Sequence, residues 1–492
     1  MISLKNIKNL NKYLSPALLS VILCAIITGI LLFIPPINGL ADNGDFYRAM
    51  LSEGIYRLPL KHIQSINFIE LKFGIMQYFN ENHGAVFSSQ SLVIKTALFL
   101  NKLFYSNKIF DIRFLALIYY VFYLGAIYLL TNSLVYPYKK KQSYFISLLV
   151  VFIFADSSFI LYFNSFYAEP GMFIAALYIF SILISFARNC YKKQWPLAIF
   201  LWLAVIFLIT NKQQNAPLAL SFSVMLIGFF YINKEKKNIK KFITVFGIFS
   251  FLLSGVITYK MINKEFNTVN MFQSFSHGVL METGDPTNKI SKSGLDKQYA
   301  LMRQQDYYPK NYAPIKPSNA YIENHLLDKY NVGWIVKYYL KNPKQFMNLL
   351  DVAAKDVMLV QVKAVGDFTR TSKRPPGSQV IYFTGYSAIM GSFFPRKFLF
   401  LCLIAVTLII VYGVGFYIDL KAEKKYGILR FFLILCLMSI ILFVPIVSII
   451  GDGEADLAKH IFLVPVSIDL ALLLVFSDIL HGTLWSTSRE VN

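Results

Sequence analysis

Two aspartates stand close together just beyond the first long apolar stretch, in the sequence Asp42-Asn43-Gly44-Asp45-Phe46, with Arg48 directly behind them. A carboxylate at a membrane surface can act as a general base that removes the proton of a sugar hydroxyl, while a neighbouring cation binds a phosphate. The same residue types also form turns in which aspartate and asparagine side chains cap the backbone after a helix. The spacing alone leaves the catalytic and the turn interpretation both open.

A second polar cluster lies among aromatic residues between two apolar stretches, at positions 156–170. Asn164, Tyr167 and Glu169 combine an amide, an aromatic ring and a carboxylate, which together can form a sugar-binding surface. An aromatic belt at the membrane interface would explain the tyrosine but neither the carboxylate nor the amide. We predict sugar binding here, with the aromatic belt as an equal alternative.

Two further segments present cations near the ends of apolar stretches. Lys212 is the one charged residue of the short segment 211–215 and is a candidate phosphate ligand. A lysine that merely extends toward the membrane surface would give the same pattern. Arg370 precedes Lys373, Arg374 and two prolines, and this basic group could bind an anion or form a turn beside the membrane.

The segment 451–460 carries Asp452, Glu454 and Asp456, followed by Lys459 and His460. Closely spaced carboxylates suggest a metal-binding loop, but an EF-hand needs a loop of about twelve residues that ends in glutamate. We therefore expect no metal and predict that Lys459 and His460 meet a lipid phosphate. A solvated turn is the alternative.

These clusters are distributed over a strongly apolar chain. Of its 492 residues 56% are hydrophobic and 15% are charged, and the mean hydropathy is +0.52. Apolar runs of about 17 to 22 residues can cross a bilayer, where backbone groups must form their hydrogen bonds within helices. The sequence therefore predicts an all-α polytopic membrane protein with about ten transmembrane helices. We expect these spans at 15–35, 112–134, 143–160, 170–187, 195–211, 216–232, 242–259, 397–418, 428–450 and 461–480.

Basic residues in the short loops set the predicted orientation, because cytoplasmic loops are enriched in lysine and arginine. Such loops follow the second, fourth, sixth and eighth spans, at 139–141, 188–193, 234–241 and 421–425. Both termini are then cytoplasmic, and the polar clusters all fall on the outer side. The predicted external segments are 36–111, 157–169, 212–215, 260–396 and 451–460.

The long loops divide the chain into three predicted parts. These are a membrane module 1–259 with a first external loop at 36–111, a small external domain 260–396, and a membrane module 397–492. Within the external parts, amphipathic helices are predicted over 324–358 with a break near Pro343. The segment 86–104 is expected to lie at the membrane interface, because lysines interrupt its apolar run.

Several classes of function lack support. The net charge of +21 has no soluble basic domain to carry it, so anionic lipids and a phosphorylated lipid are better partners than nucleic acid. Three of the four cysteines lie in apolar stretches, which argues against a disulfide framework or a zinc site. Motifs of nucleotide-binding loops and of serine or zinc hydrolases do not occur in the sequence.

Taken in their order along the chain, the motifs resemble the GT-C superfamily of integral-membrane glycosyltransferases, which use polyprenyl-phosphate sugars. More narrowly they resemble the WsfD-like glycan-biosynthesis hexosyltransferases, and the layout is also similar to that of the phage-type O-antigen glucosyltransferases. The resemblance rests on Asn43-Gly44-Asp45-Phe46, on residues 163–170, on His277-Gly278-Val279-Leu280, on Arg374-Pro375-Pro376-Gly377 and on residues 451–456.

The resemblance implies inverting transfer of a hexose, with glucose favoured, from undecaprenyl-phosphate hexose to a bacterial surface polysaccharide such as O-antigen or wall glycan. Transfer would occur on the outer face of the cytoplasmic membrane and would require no cofactor. An aspartate of the first external loop serves as the base in such enzymes, and this role falls on Asp45 or on Asp42. Asp45 is preferred, because it lies in the Gly44-Asp45-Phe46 core of the motif. The implied donor-phosphate ligands are Arg48, Lys212, Lys459, His460 and Arg370, and the implied sugar or acceptor ligands are Glu169, Asn164, Tyr167, Asp452 and Glu454. A synthase that makes the donor and a flippase that presents it are the implied partners.

Two other functions remain as alternatives. A flippase or transporter of a lipid-linked sugar would carry ionisable residues at mid-membrane depth within discontinuous helices. Here the charges are predicted at span ends, and the spans are expected to be nearly free of acidic residues. A polysaccharide ligase or polymerase would also act at the outer face, with a diphosphate-linked donor and more cations.

Overall fold

The computed structural model describes residues 14–58, 66–81, 87–138, 141–232, 237–281, 284–308, 315–327 and 329–485. The first helix begins after Ser15, whose hydroxyl accepts a hydrogen bond from the Leu18 amide at 3.2 Å, and Pro16 fits its first turn.

In chain order, the first ten helices are α1 Pro16–Phe33, α2 Tyr47–Met50, α3 Gln90–Phe104, α4 Arg113–Val135, α5 Gln142–Phe154, α6 Ser157–Ile160, α7 Glu169–Ala187, α8 Trp195–Asn211, α9 Leu218–Ile227 and α10 Lys237–Lys260.

The remaining α-helices are α11 Lys264–Ser274, α12 Thr287–Lys292, α13 Ala320–Ile322, α14 Val332–Lys341, α15 Pro343–Asp356, α16 Gly385–Phe393, α17 Phe398–Lys421, α18 Lys425–Asp452, α19 Leu457–His460 and α20 Leu463–His481. Short 3₁₀ turns lie at Leu51–Glu53, Leu161–Asn164, Gln213–Asn215, Gly228–Tyr231, Lys297–Met302 and Arg370–Ser372. Two π-helical turns occur, at Phe275–Val279 and at Glu323–Leu327.

Eight helical segments among the described residues are long and apolar enough to cross a membrane. They cover 16–33, 113–135, 169–187, 213–231, 241–260, 398–421, 425–452 and 463–481. In addition, α5 continues through a bend of 55° into Ser157–Asn164, and α8 is a shorter apolar helix of 17 residues. Every predicted span thus corresponds to an apolar helix, and the prediction of an all-α polytopic membrane protein is confirmed.

Helix α7 forms the centre of the bundle. It packs against α4, α8, α18 and α20, and all of its residues except Ala176 are buried. This helix begins at Glu169, so the middle of the bundle presents a carboxylate at one of its ends.

The first long loop contains a small antiparallel sheet that the sequence analysis did not predict. Its strands are β1 Ile55–Tyr56, β2 Lys72–Ile75 and β3 Ile109–Asp111, in the order β1-β2-β3. Ile55 pairs with Ile75, and Phe73 pairs with Phe110. Both phenylalanines pack against the ring of Phe166, at 5.1 and 5.9 Å between centroids. The sheet therefore fastens the first long loop to the turn before α7.

The second long segment packs against the first. Isolated bridges join Asn38 to Phe368 and Ile69 to Thr369. The predicted break near Pro343 is confirmed, because α14 ends at Lys341 and α15 begins at Pro343. The domain boundaries at 259 and 396 stay a prediction.

The predicted interfacial segment contains α3. This helix has 15 residues, or about 22 Å at the usual rise, which is too short to span a bilayer. It exposes large apolar side chains, as an interfacial helix would, at Leu92, Phe99 and Leu103. Val86, the predicted start of this segment, lies outside the described residues.

The predicted grouping of the loops is confirmed. Parts of all five predicted external segments meet at one end of the bundle, through contacts described below. At the opposite end Arg188, from a predicted cytoplasmic loop, donates hydrogen bonds to the Ser133 carbonyl and to the Tyr426 hydroxyl. Lys139, Lys140, Lys234 and Lys236 of the basic loops lie outside the described residues. Which side of the membrane each end faces stays a prediction.

The expectation that the spans are nearly free of acidic residues is wrong for α20. Asp469 and Asp478 both lie within this helix and are fully buried. Asp478 pairs with Arg188 at 3.1 Å and with Arg430 at 2.7 Å, while Asp469 accepts a hydrogen bond from Tyr386. Buried carboxylates are tolerated in an apolar helix when such partners compensate them.

Candidate active site

Charged residues from four segments that are distant in sequence meet at one end of the bundle. We call this group the Asp45 cluster. Its members are Asp45, Arg48, Glu169, Lys212, Asp452, Asp456, Lys459 and His460, which ion pairs and electrostatic interactions connect. The cluster brings together four of the polar segments predicted from the sequence, at 42–48, 156–170, 211–215 and 451–460.

Asp42 shapes the turn that presents Asp45. Its Oδ1 atom accepts hydrogen bonds from the amides of Gly44 at 2.7 Å and Phe46 at 3.2 Å, and its Oδ2 atom pairs with Arg57. Gly44 has a φ of +118°, a conformation that favours glycine. The turn interpretation therefore describes Asp42, since both oxygens of its carboxylate have partners. The catalytic role of Asp45 stays a prediction.

Asp45 lies between two cations. Its Oδ2 atom is 2.5 Å from Lys459 Nζ, and its Oδ1 atom is 3.2 Å from Arg48 Nη2. Burial alone would raise the pKa of Asp45, but Lys459 and Arg48 outweigh this effect and hold the pKa well below its ordinary range. Because 27% of the side chain stays exposed, a ligand can reach the carboxylate.

Lys459 is held from three directions. Besides Asp45, it pairs with Asp456 at 3.1 Å, and its ammonium group lies 5.3 Å from the ring centre of Tyr167. The side chain is only 4% exposed. Burial would lower the pKa of Lys459, but the two aspartates raise it above its usual value, so the ammonium form persists.

Tyr167 connects the turn before α7 to the turn that carries Asp45. Its hydroxyl lies 2.9 Å from the Ala41 carbonyl, to which it donates, and accepts a hydrogen bond from the Asn43 amide at 3.1 Å. Tyr167, which was predicted to form part of a sugar-binding surface, thus contacts the cluster with the face of its ring toward Lys459.

Glu169 and Lys212 form the second ion pair of the cluster, at 3.1 Å. Glu169 is buried at the start of α7, and Lys212 follows directly after α8. Asn211 fixes this arrangement by donating a hydrogen bond to the Ala168 carbonyl at 2.7 Å. Gln214 donates to the His460 carbonyl at 3.0 Å and so joins the same loop to the last segment of the cluster.

His460 lies 3.0 Å from the Oδ2 atom of Asp452 at the end of α18. Burial, together with the nearby Lys212 and Lys459, lowers the pKa of His460 well below its ordinary value. The imidazole is therefore neutral at pH 7, and it would contact a phosphate as a hydrogen-bond donor rather than as a cation. The Oδ1 atom of Asp452 is buried without a hydrogen-bond partner in the described structure.

Gly453 allows the second long segment to approach this site closely. Gly453 has a φ of +65°, and a Cβ atom at this position would lie 2.5 Å from the carbonyl carbon and oxygen of His277. The amide of Glu454 donates to the same carbonyl at 3.0 Å. The π-helical turn that contains His277 and Gly278 therefore supports the turn after Asp452.

Tyr167 contacts the cluster through Lys459, whereas three other predicted ligands lie outside it. Asn164 is 1% exposed, and its amide donates to the carbonyls of Asn38 at 2.7 Å and Leu32 at 3.1 Å, so it anchors the first loop rather than a sugar. Glu454 faces His277 instead of the cluster. Burial raises the pKa of Glu454, and His277 offsets part of this rise.

Arg370, the third of these residues, lies over the ring of Phe68 at 4.9 Å and interacts with Glu70. Its predicted role in binding the donor phosphate has no support from these contacts. The neighbouring Asp367 is fully buried, and its carbonyl accepts a hydrogen bond from the Gly39 amide at 3.2 Å. This motif therefore positions the first loop.

Sequence reasoning missed four residues of the site. Arg57 neutralises Asp42, Asn43 contacts both Tyr167 and Asp456, and Asp456 pairs with Lys459. Phe266 stacks beneath the Arg48 guanidinium at 4.5 Å. Only Asn43 and Asp456 lay within motifs that the sequence analysis singled out, since Arg57 and Phe266 reach the site through the fold.

The cluster combines carboxylates that can accept a proton with cations that can bind an anion. Among the residues that the structure describes, no group of three or more histidine, cysteine, aspartate or glutamate side chains is arranged to hold a metal ion. The arrangement is suited to binding a phosphate next to a proton acceptor.

Comparison with known proteins identifies the family. The model of the YfdI N-terminal transmembrane domain matches residues 4–492. The chain belongs to this family. A comparison with curated proteins finds no match. Membership in this family and the apolar helices together establish a multi-pass membrane protein.

Among solved structures, the chain is similar to the archaeal oligosaccharyltransferase AglB from Archaeoglobus fulgidus, in complex with an inhibitory peptide and a dolichol-phosphate. The two chains are 14% identical, and the TM-score is 0.38. The similarity covers 98% of this chain and 53% of AglB, so the chain spans about half of the length of AglB.

Proposed function

We propose that the chain is an inverting GT-C-type glycosyltransferase. It moves a hexose, for which glucose is our favoured candidate, from undecaprenyl-phosphate hexose to a surface polysaccharide of a bacterial cell. The active site lies on the outer face of the cytoplasmic membrane, and both termini lie in the cytoplasm. A synthase that makes the donor and a flippase that presents it are the partners that this reaction requires.

The observation that carries this proposal is the position of Asp45 between Lys459 and Arg48. A glycosyl donor of this class ends in a phosphate, and the acceptor is a sugar hydroxyl that must lose its proton. The two cations can bind the phosphate, and the carboxylate of Asp45 can accept the proton. All three groups lie at the end of a bundle of apolar helices. Additional support comes from Lys212, whose charge adds to the positive potential around Asp45.

In the proposed reaction the oxygen of the acceptor hydroxyl forms a bond to C1 of the sugar. The bond between C1 and the phosphate oxygen breaks, and its electron pair leaves with the lipid phosphate. The hydroxyl proton passes to Asp45. Lys459 and Arg48 stabilise the additional negative charge on the phosphate, a form of electrostatic stabilisation that needs no metal.

The surroundings of Arg48 suggest where the lipid chain of the donor lies. The guanidinium stacks on Phe266, and Tyr47 stacks on the same ring at 6.4 Å between centroids. Tyr47 is also exposed. A polyprenyl chain that packs against Tyr47 and Phe266 would bring its phosphate to Arg48.

The experiment that tests the proposal measures transfer of radiolabelled sugar from synthetic undecaprenyl-phosphate hexose to envelope glycan by the purified protein. The variant Asp45→Asn removes the base but keeps the shape of the side chain, and we expect transfer to fall by about 10²- to 10⁴-fold. Asp351→Asn is the matched control, because Asp351 also pairs with a lysine, Lys397 at 2.7 Å, but has no predicted role in transfer. Full activity of Asp45→Asn would remove Asp45 from the mechanism.

A flippase for a lipid-linked sugar is the second candidate, and specific observations favour it. The buried Asp469 in α20 and the bend between α5 and α6 are features expected of a transport pathway. Proteoliposomes that contain a fluorescent lipid-linked sugar distinguish the two functions. Movement of the lipid across the bilayer without sugar transfer, in wild type and in Asp45→Asn alike, would favour the flippase.

A further inference from the structure

The three cations of the Asp45 cluster are already paired with carboxylates. Lys459 contacts Asp45 and Asp456, Arg48 contacts Asp45, and Lys212 contacts Glu169. A phosphate that enters this site must therefore compete with a carboxylate for its cation. For Lys459 and Arg48 the competitor is Asp45 itself, the residue that we propose as the base.

We propose that the donor phosphate binds by exchange, taking Lys459 and Arg48 away from Asp45, and that this exchange makes Asp45 available as the base. The inference rests on the proposed function, which it extends from the class of reaction to the order of events in the site. Asp456 is assigned a positioning role, because it keeps Lys459 in place when the contact with Asp45 is lost.

The charges of the reacting groups fit such an exchange. The phosphodiester of the donor carries one negative charge, as the carboxylate of Asp45 does, so either can neutralise the same cations. During transfer the C1–O bond to phosphate breaks and the phosphate gains a negative charge, while Asp45 gains the hydroxyl proton and loses its charge. The cations therefore shift their stabilisation from the base to the leaving group, and the net charge of the site stays constant.

The geometry around Lys459 supports the positioning role of Asp456. The ammonium group has three N–H donors, and Asp45 and Asp456 lie on it at 2.5 and 3.1 Å. Asp456 is 52% exposed and lies one turn before Lys459, so it can retain the lysine without closing the site. Tyr167 covers the ammonium group with its ring at 5.3 Å and limits its movement.

The protonation of Asp45 in the empty site follows from all the groups that face it. Arg48 comes from the same turn as Asp45, and Lys459 and Asp456 come from the segment after α18. Tyr167 comes from the turn before α7, and Lys212 comes from the turn after α8. Asp452 and His460 complete the set. With its cations in place the pKa of Asp45 lies below the ordinary range, and when they leave, burial and the remaining carboxylates raise it.

Exchange therefore predicts proton uptake when a phosphodiester binds. The probe is an undecaprenyl methyl phosphodiester, which has one permanent charge and cannot transfer a sugar. Titration calorimetry of the protein in nanodiscs, in buffers that differ in ionisation enthalpy, gives the number of protons taken up. We expect uptake near pH 5 that declines toward neutral pH, and affinity that increases as pH falls, with tenfold per pH unit as the limit for one linked proton.

Removal of a site residue usually weakens ligand binding, but Asp45→Asn should strengthen it. The variant cannot take up the proton, and it no longer competes for Lys459 and Arg48, so the phosphodiester should bind more tightly than to wild type. Asp351→Asn should match wild type in affinity and in proton uptake. Should Asp45→Asn fail to fold, the pH dependence of wild-type affinity provides the same test.

The possible outcomes separate the two proposals. Binding without proton uptake, or weaker binding to Asp45→Asn, would overturn the exchange while leaving the lipid-phosphate donor in place. Absence of binding to wild type and to the control would overturn both, because the chain would then not recognise the donor phosphate at all.

Discussion

Replacement of Gly453 by alanine should loosen the turn that leads to Lys459. The backbone of Gly453 has φ and ψ of +65° and −140°, a combination that residues with a side chain rarely adopt. A Cβ atom would also lie 2.5 Å from two backbone atoms of His277. Because backbone atoms cannot rotate away as a flexible side chain can, the two turns must separate.

The expected magnitude follows from these two contributions. A strained backbone conformation of this kind costs about 1–3 kcal/mol, and loss of the hydrogen bond from the Glu454 amide to the His277 carbonyl adds about 1 kcal/mol. Gly451 is the matched control two residues earlier, because a Cβ atom there would meet nothing within 4 Å and the residue lies inside α18. Alanine at 451 should be neutral or stabilising by up to about 1 kcal/mol.

The assay compares thermal unfolding of the two variants and wild type in the same nanodiscs, together with sugar transfer. We expect Gly453→Ala to unfold at a lower temperature and to transfer sugar more slowly, since Lys459 and His460 follow the disturbed turn. Gly451→Ala should equal or exceed wild type in stability. If the two variants unfold at the same temperature, close packing between the turn after Asp452 and the turn at His277 does not contribute to the stability of the fold.

Two further predictions concern other charged residues. Lys212→Ala should raise the donor concentration needed for half-maximal transfer more than it lowers use of the acceptor, and kinetics with each substrate varied in turn would measure this; unchanged donor dependence would exclude a role in binding phosphate. Burial raises the pKa of Asp367 to about 7, so the folded protein holds this proton more firmly than the unfolded chain, and the free energy of unfolding should fall as pH rises from 4 through 7. Thermal unfolding of Asp367→Asn over this pH range should lack that decrease, and an unchanged pH dependence would assign it to other groups.

The spans and their grouping could be predicted because they depend on local properties. Apolar length determines which segments form membrane helices, and successive antiparallel helices return alternate loops to the same end. Residues as far apart in sequence as Asp45 and Lys459 therefore meet without any local signal for their contact. The prediction of a common polar end needed only the number of spans between them.

The details that were missed depend on long-range contacts. The strands of the small sheet have two to four residues, too few to show an alternating pattern, and they form because Phe73 and Phe110 pack on Phe166. Hydropathy averaged over a window concealed Asp469 and Asp478, since each is surrounded by apolar neighbours. In the same way, no spacing in the sequence indicated that Asp42 pairs with Arg57, or that Asp45 pairs with Lys459 although both lie in segments that the sequence analysis singled out.

Burial explains why this cluster presents ion pairs instead of free cations. Lys459 is 4% exposed, and an isolated ammonium group at such depth would lose much of its hydration without compensation. A buried site for an anionic lipid must therefore supply temporary counter-charges while it is empty, and carboxylates are the groups that can do so. When one of these carboxylates is also the base, a single interaction has two effects. The contact of Asp45 with Lys459 and Arg48 neutralises the empty site, and it also keeps the base occupied until the donor binds.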